Sequence, residues 1–136
     1  MSQDKLINKL HEIMSKSRRS LDDATILYKK GSYDSSVSLA YYAAFHAIQA
    51  LLLTKGTAFS KHAQVKGAFN KEFIHLGIFP KNFTAIIERL FKDRQIGDYE
   101  YGEHIKGDQA KKDISDAKTV IKAIAEYLGE KYSREF

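Results

Sequence analysis

The chain has 136 residues, the size of one domain, and its 22 lysines and arginines against 17 aspartates and glutamates give a formal charge of +5. It holds no cysteine, which excludes disulfides and thiolate metal sites. No N-terminal basic–apolar–small pattern reads as a signal peptide, and the longest strongly apolar run, about residues 39 to 53, is broken by His46 and Gln49 and too short for a bilayer, so a cytoplasmic protein without a membrane segment is expected.

The periodicity is helical throughout. Residues 3 to 30 set Leu6, Leu10, Ile13, Leu21, Ala24 and Tyr28 on one stripe, with Met14 and Leu27 beside it. Gly31 suits the left-handed position past the helix end, and Ser32 or Asp34 can cap the next helix. That second helix, "DSSVSLAYYAAFHAIQALLLT" over 34 to 54, is apolar nearly all round and should be the central one. Gly56 ends it. Ser60 is placed to cap a third helix over 61 to 76, which turns Val65, Ala68, Phe69 and Phe73 inward and stops at Gly77. Pro80 opens a fourth helix, where its missing N–H costs nothing; Phe83, Ile87, Leu90, Phe91 and Arg94 share its stripe. Gly97 and Gly102 punctuate a loop, and Asp108 caps a last helix built on Ile114, Ala117, Ile121, Ile124 and Leu128. The terminal "GEKYSREF" is expected to fray. Short links between long helices predict an all-α, up-and-down bundle of four to five helices in a single domain over 1–136.

Charge is unevenly spread. Lysines and arginines dominate residues 1 to 31 and 55 to 75, whereas the loop from 98 to 108 sets Asp98, Glu100, Glu103 and Asp108 against Lys106 alone. Arg94, in line with an apolar stripe, needs a carboxylate or a phosphate, because an unpaired buried charge is very costly. Asp98 lies one helical turn on and Tyr99 can seal the pair. The pair reads equally as a structural bridge and as a ligand-facing site. Tyr42, His46 and Gln49, three to four apart on the second helix, form a polar seam that either finds partners on neighbouring helices or lines a cleft or dimer face. No pair among His62, His75 and His104 has metal-ligand spacing on a helix, and no phosphate-binding glycine loop is present, so neither a metal nor a cofactor is expected.

The run "SYDSSVSLAYYAAFHAIQALLLTKG", followed by "SKHAQVKGAF", by "KDRQIGDY" and by a final helix, resembles the HEPN family (higher eukaryotes and prokaryotes nucleotide-binding) from about residue 5 to 128. The resemblance implies a small helical bundle that forms homodimers, often paired with a minimal nucleotidyltransferase as toxin and antitoxin. Active members are metal-independent RNases whose motif is an arginine followed, after four to six residues, by a histidine. Arg94 matches the arginine. Asp98 and Tyr99 stand where the histidine is expected, and the next histidine, His104, comes later.

Two functions follow. The first is a nucleotide- or RNA-related binding module that works beside a nucleotidyltransferase, with Arg94, Asp98, Tyr99, Tyr101, Tyr42 and His46 as binding residues. The second is an RNase toxin in which Arg94 stabilises charge on phosphorus and His104, folded back by Gly97 and Gly102, serves as acid or base. By the same resemblance Tyr101 is a candidate acceptor for a nucleotidyl group.

Overall fold

The computed structural model describes residues 1 to 101 and 104 to 136. Five α-helices run in chain order: α1 (Gln3–Lys29), α2 (Tyr33–Leu53), α3 (His62–Phe69), α4 (Asn82–Tyr99) and α5 (Gly107–Tyr132). A π-helical turn, Asn70–Ile74, extends α3, and its wider winding shows in the bond from the His75 N–H to the Asn70 carbonyl at 2.8 Å. There is no strand among the described residues.

The central helix is α2, as its apolar composition requires. It packs on α1, α4, α5 and α3, and Val37, Ala40, Ala43, Ala44, Ala47 and Ala50 are sealed from solvent. The alanines let neighbouring backbones come close enough for two serines to stitch α1 to α2. Ser17 Oγ donates to the Ala43 carbonyl at 2.6 Å, and Ser36 Oγ to the Ala24 carbonyl at 2.8 Å, both fully buried. The buried line of α1 is therefore Ile7, Leu10, Met14, Ser17 and Ala24, with Leu6 and Ile13 at its edge. By length and composition alone α2 could cross a membrane, but 72% of its most apolar window is already buried by the other helices. One chain thus covers α2, so its apolar surplus does not itself call for a second copy.

Gly31, Gly56 and Gly77 all adopt the left-handed backbone expected of residues just past a helix end. Several boundaries differ from expectation. Neither Ser32 nor Ser60 caps a helix with its side chain, and Lys61 and Lys106 hold the N-cap positions of α3 and α5. Asp108 lies inside the first turn of α5, where the Gln109 side chain accepts from the Lys106 N–H at 2.9 Å. Helix α4 begins two residues after Pro80 and runs through Gly97 to Tyr99, so Asp98 and Tyr99 are helical and the loop is shorter than predicted. The tail does not fray: Phe136 is 9% exposed and its ring stacks on His11 at 4.3 Å. On α5 the buried residues are Ala110, Asp113, Ala117, Val120, Ile121, Ile124 and Leu128, with Ile114 packed at the edge of the core, so an aspartate joins the expected stripe.

Candidate functional site

Residues four apart on a helix share a face, and on α2 that rule extends the seam into a longer polar stripe: Asp34, Ser38, Tyr42, His46, then Gln49. The last turns of α4 meet its middle. Gly97 allows this approach, since a Cβ there would come within 2.8 Å of the Asp34 carbonyl oxygen.

Arg94 is the centre of the contact. Its Nε donates to Asp98 Oδ2 at 3.1 Å, and its Nη2 donates to the Tyr99 hydroxyl at 3.3 Å. The guanidinium carbon lies 5.0 Å from the Tyr42 ring centre, 5.5 Å from Tyr41 and 5.8 Å from Tyr99, all within cation–π range. Asp98 also accepts from the Ser38 hydroxyl, which ties α4 to α2. Burial disfavours the Arg94 charge, but Tyr42, Asp98 and Tyr99 more than offset this, and its pKa rises above the ordinary arginine value. The Arg94 side chain keeps 18% of its surface open and Asp98 keeps 29%. A fixed, partly open cation between aromatic faces can take a phosphate and let a base stack beside it.

The structure thus brings together Arg94, Asp98, Tyr99 and Tyr42. His46 continues the site: its ring lies 6.2 Å from that of Tyr42, nearly parallel. Its Nδ1 is 3.0 Å from Gln49 Oε1, and Gln49 Nε2 donates to the Phe59 carbonyl at 3.0 Å. Burial is the chief cause that pushes the His46 pKa down; the Gln49 bond opposes it, and Lys16 adds to it.

The other two residues are not part of the cluster. Tyr101 is 97% exposed. His104 sits at the far end of the stripe, its Nδ1 3.4 Å from Asp34 Oδ2, with 75% of its side chain exposed. Asp34 Oδ1 accepts from the Ile105 N–H at 2.9 Å and anchors this segment. Ser38 and Asp98 come between His104 and Arg94. Gly102 and Glu103, expected as a hinge and a loop acid, lie outside the described residues.

Two constellations were missed from the sequence. Behind Arg94, the Tyr41 hydroxyl is 2.9 Å from His62 Nδ1, and His62 Nε2 is 3.1 Å from Glu88, which also meets Lys66 at 3.0 Å. The carboxylate calls for a proton on Nε2, so Nδ1 accepts from Tyr41. The His62 ring stacks on Phe91 at 3.7 Å. Burial pushes the Tyr41 phenol pKa well up, with Arg94 pulling against it; burial also opposes the Glu88 charge, but His62 and Lys66 outweigh it and lower that pKa. At the α4–α5 contact, Arg89 bridges Asp113, at 3.1 Å, and Asp116. Asp113 is fully buried, and its Oδ2 meets no donor among the described residues. Burial first, then the neighbouring Asp93 carboxyl, raises its pKa to about 8 against the pull of Arg89. Asp113 shares its helical register with Ala110 and Ala117, and an acid on an apolar register was the readable signal.

Comparison with known proteins agrees with this architecture. The HEPN domain family model matches residues 10–128. A UPF0332 protein of Thermotoga maritima is 44% identical over 84 residues, covering 62% of this chain and 64% of that protein. The chain therefore spans a little under two thirds of this relative's length. A Methanocaldococcus jannaschii protein named "putative toxin" is 35% identical over 101 residues, covering 74% of this chain and 69% of that one. The crystal structure of TT1696 from Thermus thermophilus superposes with a TM-score of 0.74 at 17% identity, over 88% of this chain and 98% of that one, and shares the fold.

Proposed function

The chain belongs to the HEPN domain family, and from that premise we propose that it is a binding module for RNA or a nucleotide, acting as the toxin-like half of a pair with a minimal nucleotidyltransferase. The observation that carries this reading is Arg94: an oriented, partly open guanidinium framed by Tyr42, Tyr41 and Tyr99. Asp98 neutralises it in the free protein, and an incoming phosphate takes its place. Relatives named as toxins support the role. The exposed rings of Tyr99 and Tyr101 beside this site suit a surface that a second copy of the chain covers, which is the homodimer the family resemblance implies.

Four and five residues after Arg94, where active members of the family carry a histidine, this chain has Asp98 and Tyr99, so binding without turnover is the first reading. The experiment is titration with nucleotides and short single-stranded RNA, with Arg94→Ala and Tyr99→Ala beside the unaltered protein. Binding weakened at least tenfold by Arg94→Ala supports the reading; equal binding by all three defeats it.

The RNase reading keeps one specific support, the His104–Asp34 contact. A carboxylate beside an exposed imidazole orients it. RNA cleavage that disappears in both Arg94→Ala and His104→Ala would replace the first reading with this one.

A further inference from the structure

The hydrogen bonds around His46 fix which of its nitrogens carries the proton. The Gln49 amide must turn its NH2 to the Phe59 carbonyl, because two carbonyl oxygens would repel each other. Its Oε1 therefore faces His46 and can only accept, so the proton is on Nδ1. Nε2 is left with a bare lone pair. The site around it is basic: Lys16 and Arg19 on α1 line the same hollow as His46 and Gln49 and have no acidic partner within salt-bridge distance among the described residues, whereas Lys9 there is paired with Glu12 at 3.7 Å. At its other side His46 abuts Tyr42, whose ring carries Arg94.

A lone pair among cations is an unusual recognition element. Phosphate offers it no proton. A ribose 2′-hydroxyl does, and a nucleic acid whose phosphates lie on Lys16, Arg19 and Arg94 brings that hydroxyl with it. We propose that the α1–α2 hollow is a single-stranded RNA subsite in which His46 Nε2 accepts the 2′-hydroxyl proton in a hydrogen bond and so distinguishes RNA from DNA, while Lys16 and Arg19 hold the flanking phosphates. This rests on the reading of Arg94 as a phosphate site and extends it across the Tyr42 ring. The 2′-hydroxyl is the group by which a protein separates the two polymers at one position, and the lysine and arginine contacts are blind to it. Burial, joined by the Lys16 charge and opposed by the Gln49 bond, lowers the His46 pKa, which favours the acceptor form.

The test compares a uridine octamer with its deoxyuridine counterpart on the whole protein. The expected result is tighter binding of the ribo form, with the preference reduced to about onefold by His46→Phe, which keeps the ring and loses the acceptor. Lys16→Ala with Arg19→Ala should weaken both polymers alike and flatten the dependence of log Kd on log salt by about two contacts' worth. Nitrogen NMR of the imidazole should show the proton on Nδ1. A proton on Nε2, or an unchanged ribo-to-deoxy ratio in His46→Phe, overturns the proposal while leaving the Arg94 site intact. Absence of any RNA binding overturns this subsite alone, whereas RNA and nucleotide binding both indifferent to Arg94→Ala overturns the Arg94 reading and this subsite with it.

Discussion

Asp113 on α5 is sealed from solvent against Asp93 on α4, itself 6% exposed, with Arg89 on one oxygen of Asp113 and no N–H or O–H donor among the described residues on the other. Two carboxyls in such a place cannot both ionise cheaply, and a shared proton satisfies the orphaned oxygen. The folded-state pKa of Asp113, about 8, lies above its ordinary value of 3.8. An acid with a raised folded pKa contributes stability that is complete below the ordinary pKa and is lost as pH climbs through the raised one. Stability should therefore fall between about pH 4 and pH 8. Asp113→Asn, which imitates the protonated acid, should flatten that slope in denaturant melts, raising the melting temperature by a few degrees at pH 8 and leaving it nearly unchanged at pH 4.5. An identical slope in the variant would show that the pair is not sharing a proton.

Gly97 provides a second test. A Cβ there meets the Asp34 carbonyl oxygen at 2.8 Å and the Asp34 Cα at 3.2 Å, backbone atoms that cannot swing away. Gly97→Ala should thus cost about 1–3 kcal/mol by overpacking, although alanine is the better helix former. It should also pry α4 from α2 at the point where Ser38 meets Asp98. A gain in stability in urea melts would mean that Gly97 is no contact glycine.

The fold was legible because its signals are local: apolar periodicity, three glycines at helix ends and an alanine-rich central helix. The Arg94–Asp98–Tyr99 arrangement was also legible, since all three lie within about one helical turn and a charge on an apolar stripe demands a partner. Gly97 was misread as a breaker because spacing alone does not separate a glycine that ends a helix from one that lets another helix approach. The Asp93–Asp113 and Tyr41–His62–Glu88 groups join residues 20 to 47 positions apart on different helices, and only the packing brings them together. His104 was set beside Arg94 through a flexible hinge, but Asp34 holds it at the other end of the stripe.

For Arg94 itself, partial exposure lowers the stakes of the ion pair. Full burial would make removal of one partner cost about 3–5 kcal/mol. With both side chains partly open, Arg94→Ala should cost nearer ~1–2 kcal/mol, within the range of a charged hydrogen bond. The pair Arg94→Met with Asp98→Leu should recover part of that loss. A double variant no more stable than Arg94→Ala would mean that Asp98 is held by Ser38 rather than by the arginine.

The two adjacent tyrosines of α2 should separate stability from binding. Tyr41 is 2% exposed and its hydroxyl bonds His62, while its ring is one wall behind Arg94. Tyr41→Phe keeps that wall and strands the His62 lone pair, so it should cost about 1–2 kcal/mol and leave RNA affinity within twofold. Tyr42 is only half-buried, and its ring is the nearest of the three to the guanidinium. Tyr42→Leu keeps apolar volume but removes the π face that orients Arg94 and continues to His46. Its melting temperature should change little, and its RNA affinity should drop about fivefold to tenfold, consistent with ~1 kcal/mol for a cation–π contact. Thermal melts and oligonucleotide titrations on the same preparations decide the matter. If Tyr41→Phe weakens binding as much as Tyr42→Leu does, the His62 network positions Arg94 for its ligand, and the wall behind the arginine belongs to the site.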